Sequence, residues 1–287
     1  MIYEIRHRLD YRYSLPVYLE THQAHLLPRS DVFQRVLHFE LKVEPEPSLI
    51  TPLSDLLGNP GHQVWFTGRS DRLSLEAFSR VETLCSNPFN FLLDDSSVCL
   101  PLVYPFAVEV NLAPYLNKRG EDSRVSEFAA EIAKRTGYET IGFLSELCLE
   151  INRKIHYMRR DGGFPLPALK TLTEKKGSCR DFAALFIACC RAQGIAARFT
   201  SGYVFSKSDL LQNDLHAWAE VYIEGGGWRG YDPSTGLVVS DQHVALASSP
   251  DPKLVSPVFG TFRTLGAVSE LQTQVSVSLL AEEATAV

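Results

Sequence analysis

No apolar run among the 287 residues approaches the ~20 that a membrane-spanning helix needs, so no membrane partner is expected. An uninterrupted apolar leader is missing too. The first residues, "MIYEIRHRLDYRY", mix charged and apolar side chains from the start, and the expected compartment is the cytoplasm. There is no basic surplus: 28 Lys and Arg stand against 34 Asp and Glu, a net charge of −6. That balance gives no electrostatic case for nucleic acid. No CxxC pair and no histidine spacing of zinc-finger type occurs, so neither a metal nor a cofactor is expected. Six cysteines without regular spacing, in a chain this long, argue against a disulfide framework. Internal repeats and low-complexity blocks are absent. The remaining composition, 45% hydrophobic and 22% charged, is that of a soluble globular protein with one large domain or two ordinary ones.

The first 110 residues read as strands. Tyr3, Ile5, Leu9, Tyr11 and Tyr13 fall on odd positions, and Glu4, Arg6, Arg8, Asp10 and Arg12 on even ones. This period of two marks a half-buried strand. Leu37, Phe39, Leu41 and Val43 repeat it, and Leu73, Leu75, Ala77 and Val81 do so less cleanly. Turn signals at 44–47, 58–61 and 67–71 separate the runs, which predicts an N-terminal β-sandwich over 1–115.

Near residue 120 the period becomes helical. A helix is expected to start at Asp122 or Ser123 and to stop at Gly137. A second follows Thr140, with Ile141, Leu144, Leu147, Cys148, Ile151 and Ile155 in one stripe. After the Pro/Gly-rich loop "DGGFPLPALK" (161–170) comes "KKGSCRDFAALFIACCRAQGIAARF" (175–199). The helix in it is apolar all round, which predicts burial, and Gly194 ends it. The strands "IAARFTSGYVF", "DLHAWAEVYI" and "GWRGYDPSTG" follow, then "HVALA" (243–247) and "QTQVSVSLL" (272–280). The fold class is therefore α+β, with a second domain over 120–287. The tail "AEEATAV" is expected to fray.

Cys189 and Cys190 lie inside the buried helix, whereas Cys179 opens it behind Gly177-Ser178. A helix N-terminus offers unpaired N–H groups and a positive dipole end, which stabilise a thiolate. Cys179 is thus placed as a nucleophile. His216 on "DLHAWAEVYI" shares a face with Trp218, Glu220 and Tyr222. The aliphatic set Leu215, Ala217, Ala219, Val221 and Ile223 takes the other, core-facing side, so His216 is expected to point into a more polar cleft.

The hairpin "EGGG" sets a geometric condition. A three-residue loop makes paired positions sum to 450 and puts Ser234 opposite His216. A five-residue loop puts Asp232 there instead. Either parity brings Asp232 to the face of His216; a two- or four-residue loop without a bulge does not. Each residue also has an ordinary role open to it: a structural thiol, a satisfied histidine, or an aspartate starting a turn before Pro233. Asp181 fits a complement to the helix N-terminus. Glu220 fits either a second-shell acid or a solvated charge.

The three blocks "GSCRDFAALFIACCRAQGIAARFTSGY", "DLHAWAEVYI" and "GWRGYDPSTG", in this order, resemble the transglutaminase-like superfamily of papain-type cysteine enzymes. The resemblance is to the bacterial branch with a β-rich N-terminal domain, described as cysteine proteases. It implies a core of a Cys-bearing buried helix on an antiparallel sheet. It further implies Cys179 as nucleophile, His216 as general acid/base and Asp232 as orienting carboxylate; Trp218 and Glu220, by their shared face with His216, are expected beside this group. An upstream side chain supplies an oxyanion donor in relatives, and Tyr157 is the candidate. The implied activity is hydrolysis of peptide or isopeptide amides through a thioester. The alternatives are a transglutaminase-type acyl transfer or a non-catalytic interaction module that kept the fold. Ala184 stands where many relatives have histidine. The 161–170 loop and the 205–213 segment are expected to wall the cleft.

Overall fold

The computed structural model describes residues 1–118, 122–160, 162–205 and 214–280. The alternating N-terminal sequence forms β1 (Ile2–Leu19), β2 (His22–Ala24), β3 (Gln34–Glu44), β4 (Leu49–Ser54), β5 (Pro60–Trp65) and β6 (Ser70–Thr83). Where the period changes, α1 (Phe106–Leu112), α2 (Ser123–Arg135) and α3 (Thr140–Lys154) follow. Then come β7 (His156–Tyr157), α4 (Ala168–Glu174), β8 (Lys176–Gly177) and α5 (Cys179–Ala192). A second run of strands holds β9 (Ala197–Val204), β10 (His216–Ile223), β11 (Gly227–Asp232), β12 (Leu237–Val238) and β13 (His243–Ser249). The described chain closes with β14 (Val258–Phe259), β15 (Phe262–Arg263) and β16 (Ser269–Leu280). The tail 281–287 lies outside the described residues.

In β1 the pleat does what the alternation predicts. Tyr3, Ile5 and Leu9 are at most 2% exposed, while Arg6 and Arg8 face out. In β3 the expected face fails at one position. A bulge between Val36 and His38 turns Leu37 outward, while Phe39, Leu41 and Val43 still pack inward. One sheet runs β15-β1-β6-β3 with β16 also on β1, and a second runs β14-β2-β5-β4. Both contribute to a single apolar cluster that includes Leu9, Val17, Ala24, Leu75 and Val258.

Strands from within the expected second domain, 120–287, lie in the N-terminal sheets. β14, β15 and β16 return to the N-terminal sheets, and β16 pairs antiparallel with β1 from Ile2↔Leu280 to Tyr13↔Ser269. Alternation shows that 272–280 is a strand but not which edge it covers. Without β16, β1 would present a long row of unpaired N–H and C=O groups.

The second unit has α5 packed on the sheet β12-β11-β10-β9-β13. Asp122 caps α2 by accepting from the Arg124 N–H, and Gly137 takes a positive φ of 64° just past its end, as the sequence signals. Phe182, Leu185, Phe186, Cys189 and Cys190 of α5 are at most 1% exposed and meet Ala217, Ala219, Val221 and Ile223 of β10. Burying each large side chain stabilises by about 1.5–3 kcal/mol, enough to hold α5 rigidly behind Cys179. The other face of the sheet is covered as well. Tyr203, Val244 and Leu246 pack on Tyr3, Ile5, Val81 and Val275 of the N-terminal sheet. On that face of β10, Trp218 and Glu220 are 1% and 6% exposed, and His216, at the strand's start, borders the cleft.

Candidate active site

Ser178 stands before the first turn of α5 in extended conformation, and its N–H donates to Asp181 Oδ2 at 2.7 Å. This reciprocal cap fixes where the helix begins and so where the Cys179 sulfur sits. Gly177 is required for the fit: a Cβ there would lie 2.7 Å from the Asp181 Cβ. Asp181 is fully buried and also accepts from Arg160 Nη2 and the Leu166 N–H, each at 2.7 Å. Arg180 donates to Gly163 O at 2.7 Å. The residues after Cys179 that looked incidental in sequence thus anchor the loop that includes Arg160, Gly163 and Leu166.

His216 opens β10 and Asp232 closes β11. The loop between the strands has three residues, because Ile223 pairs with Gly227 and Ala219 with Tyr231. This is the register in which the positions sum to 450. His216 Nε2 donates to Asp232 Oδ2 at 2.8 Å, and Cys179 lies close enough to the same imidazole to act on its charge. Burial alone would lower the His216 pKa, but the charge and hydrogen bond of Asp232, followed by Cys179, push it up to about 10. Burial alone would raise the Asp232 carboxyl. The positive charge and hydrogen bond of His216, followed by the hydrogen bond of His243, hold it well below the usual carboxylate range. By contrast, burial pushes the thiols of Cys148 and Cys190 well above theirs, which suits core filler.

Two further residues complete this group. Ser234 donates to Asp232 Oδ1 at 2.6 Å and lies 3.3 Å from His216 Nε2. His243, at the start of β13, places its Nε2 3.4 Å from Asp232 Oδ2. The hairpin register pointed to Ser234. Nothing in the sequence pointed to His243, because β13 pairs with β9 on the far side of the sheet from β11.

Tyr157 pairs with Gly177 through the short parallel β7–β8 bridge, two residues from Cys179. Its phenol pKa is raised, first by burial and then by Cys179. Trp218 is buried with its ring centroid 6.3 Å from His216 and 5.3 Å from His243. Glu220 does not join this group. Its carboxylate accepts from Arg29 Nη2 at 2.8 Å and Arg198 Nε at 2.7 Å, and these guanidiniums outweigh burial to bring its pKa to about 2.

Cys179, His216 and Tyr157 line one cavity of about 320 Å³. Gly162, Gly163, Phe164 and Pro165 of the expected loop form one side. Further lining comes from the N-terminal sheet, through His7, Leu9 and Tyr11 of β1 and Leu271 and Thr273 of β16. Positions 161 and 206–213, also expected at the cleft, lie outside the described residues. Among the described residues no group of three or more His, Cys, Asp or Glu could hold a metal ion.

Residues 126–233 match the transglutaminase-like superfamily, and residues 3–82 match the bacterial transglutaminase-like N-terminal region. An uncharacterized protein of Mycobacterium tuberculosis is 27% identical over 291 aligned positions, covering 96% of this chain and 92% of its own. An uncharacterized protein of Mycobacterium leprae is 30% identical over 133 positions, 45% of this chain and 47% of its own. A solved structure of a candidate cysteine protease from Cytophaga hutchinsonii shares the fold with a TM-score of 0.70 at 23% identity, over 97% of this chain and 98% of its own. The chain thus carries a core of the transglutaminase-like superfamily over residues 126–233, behind a bacterial transglutaminase-like N-terminal region over residues 3–82.

Proposed function

We propose that the protein is a cysteine-dependent amide hydrolase acting on peptide or isopeptide bonds. The observation that carries this reading is His216 held between the Cys179 thiol and Asp232 Oδ2, with the sulfur at the N-terminus of a buried helix. In that setting the proton passes from sulfur to imidazole, leaving thiolate and imidazolium. The thiolate attacks the amide carbonyl. The Cys179 N–H and the Tyr157 hydroxyl stabilise the oxyanion. His216 donates its proton to the departing amine nitrogen, and the C–N bond breaks to leave a thioester. Water, deprotonated by the now neutral His216, attacks the thioester, releases the acid and returns the thiolate. Asp232, with Ser234, keeps the imidazole in the tautomer whose free nitrogen faces sulfur.

Iodoacetamide labelling followed against pH by peptide mass spectrometry, in the wild type and in His216→Ala, tests this pairing. Cys179 should label fastest of the six cysteines, stay reactive well below pH 8, and lose that low-pH reactivity in the variant. An ordinary thiol profile near pH 8.5, unmoved by the substitution, would sink the reading. Peptide and isopeptide libraries, each run with and without a primary amine, then separate hydrolysis from acyl transfer.

A further inference from the structure

Behind the core sheet, on the face away from α5, lies a second cavity of about 470 Å³. That volume suits a small organic molecule. Four polar groups lining it are buried without a hydrogen-bond partner: Arg29 Nε, Trp218 Nε1, Arg229 Nε and His243 Nδ1. Trp218 is 1% and His243 5% exposed. Three of the four are obligate donors, and nothing on the wall accepts from them. Leaving a buried donor unmatched costs about 1–3 kcal/mol, so the cavity calls for an acceptor-rich occupant.

The charges point the same way. Glu220 is already matched by Arg29 and Arg198, and Asp31 lies 3.6 Å from Arg29 Nε. Arg229 has no carboxylate within 4.0 Å among the described residues. Its guanidinium instead lies over the rings of Phe33 and Phe91, at 5.0 and 4.6 Å. Counting Arg29, Arg198 and Arg229 against Asp31 and Glu220 leaves one uncompensated positive charge. Phe33, Trp218 and Trp228 supply apolar wall beside it, and Val32, 79% exposed, stands at the rim.

We propose that this cavity binds a small organic monocarboxylate, and that His243 relays its occupancy to Asp232. The carboxylate would take hydrogen bonds from the open donors and balance Arg229, with its apolar body against the aromatic wall. His243 touches both sites. Its Nε2 lies 3.4 Å from Asp232 Oδ2, while its Nδ1 borders the cavity. A carboxylate at Nδ1 favours a proton on both ring nitrogens, and an imidazolium there competes with His216 for Asp232. Only this relay rests on the catalytic reading of Asp232; binding itself does not.

Two of the three tryptophans line the cavity, so their fluorescence reports binding in the full-length protein. Benzoate is the probe, benzamide its neutral counterpart, and chloride holds ionic strength constant. Benzoate should give a saturable change, with benzamide about tenfold or more weaker, since a charged acceptor makes the stronger hydrogen bonds. Arg229→Gln should weaken benzoate alone, and Arg229→Lys should restore part of the affinity. No saturable change, or equal affinity for benzoate and benzamide, overturns the site without any variant having to fold. At saturating benzoate the labelling rate of Cys179 should fall severalfold in the wild type and stay unchanged in His243→Gln. An unaltered wild-type rate overturns the relay and leaves the hydrolase reading standing.

Discussion

Arg29 Nη2 donates to Glu220 Oε1 at 2.8 Å, joining a segment between β2 and β3 to the middle of the core sheet. Arg198 holds the other carboxylate oxygen, and Ser248 lies 3.3 Å from it. The contact therefore clamps the N-terminal unit to the strand that presents His216.

Glu220→Gln keeps the shape and removes the charge that Arg29 and Arg198 share. Breaking one partner of a buried ion pair costs about 3–5 kcal/mol. The urea midpoint should fall accordingly with the slope unchanged. A loss of activity without a loss of stability would mean instead that Glu220 serves the chemistry.

Asp232→Asn removes the charge that raises the His216 pKa. Labelling of Cys179 at pH 6 should then drop by about tenfold or more, because returning an imidazole to its ordinary pKa weakens the ion pair. Near-ultraviolet circular dichroism should confirm that the fold remains.

The pH dependence of stability has a sign fixed by the same pair. His216 has its pKa raised from 6.5 to about 10 on folding. Its stabilising contribution is fully present below pH 6.5 and is lost as pH rises toward 10. Asp232, whose pKa is lowered, contributes above about pH 4 and loses its contribution in acid. Unfolding free energies of wild type and His216→Gln should therefore differ most between about pH 4 and 6.5. The gap should close toward pH 10 with a slope of up to about 1.4 kcal/mol per pH unit. A gap that widens above pH 7 would contradict the assignment.

Gly202 pairs with His216, and a Cβ there would lie 2.2 Å from Val244 O and 2.5 Å from the Trp218 ring. Gly202→Ala should destabilise by about 1–3 kcal/mol through overpacking. It should also slow Cys179 labelling, because Trp218 must shift beside His216. Thermal melting and labelling on the same sample check both.

Short-range features of the sequence were legible. Gly177-Ser178-Cys179 before a buried run gave the helix start, and the "EGGG" loop gave the condition, an odd number of loop residues, under which Asp232 shares a face with His216. Both depend on neighbours a few residues away, where turn chemistry and periodicity act directly. His243, Arg29 and β16 were not legible as partners, because each depends on which distant strand lies alongside. For Glu220 the same periodicity gave the correct face but not Arg29, which arrives from the N-terminal unit. A period of two fixes which side a residue faces and leaves open what stands opposite.

The pairing of β16 with β1 also orders events in time. His7 of β1 and Thr273 of β16 stand 3.3 Å apart in the cleft wall although 266 positions separate them. On a ribosome, Cys179, His216 and Asp232 are all synthesised before residue 269. The part of the cleft lining that β16 supplies, Leu271 and Thr273, is still missing at that stage. Closing so long a loop is slow compared with helix and hairpin formation. The nascent chain thus carries Cys179, His216 and Asp232 beside an unfinished cleft, whose lining is complete only after β16 has been made.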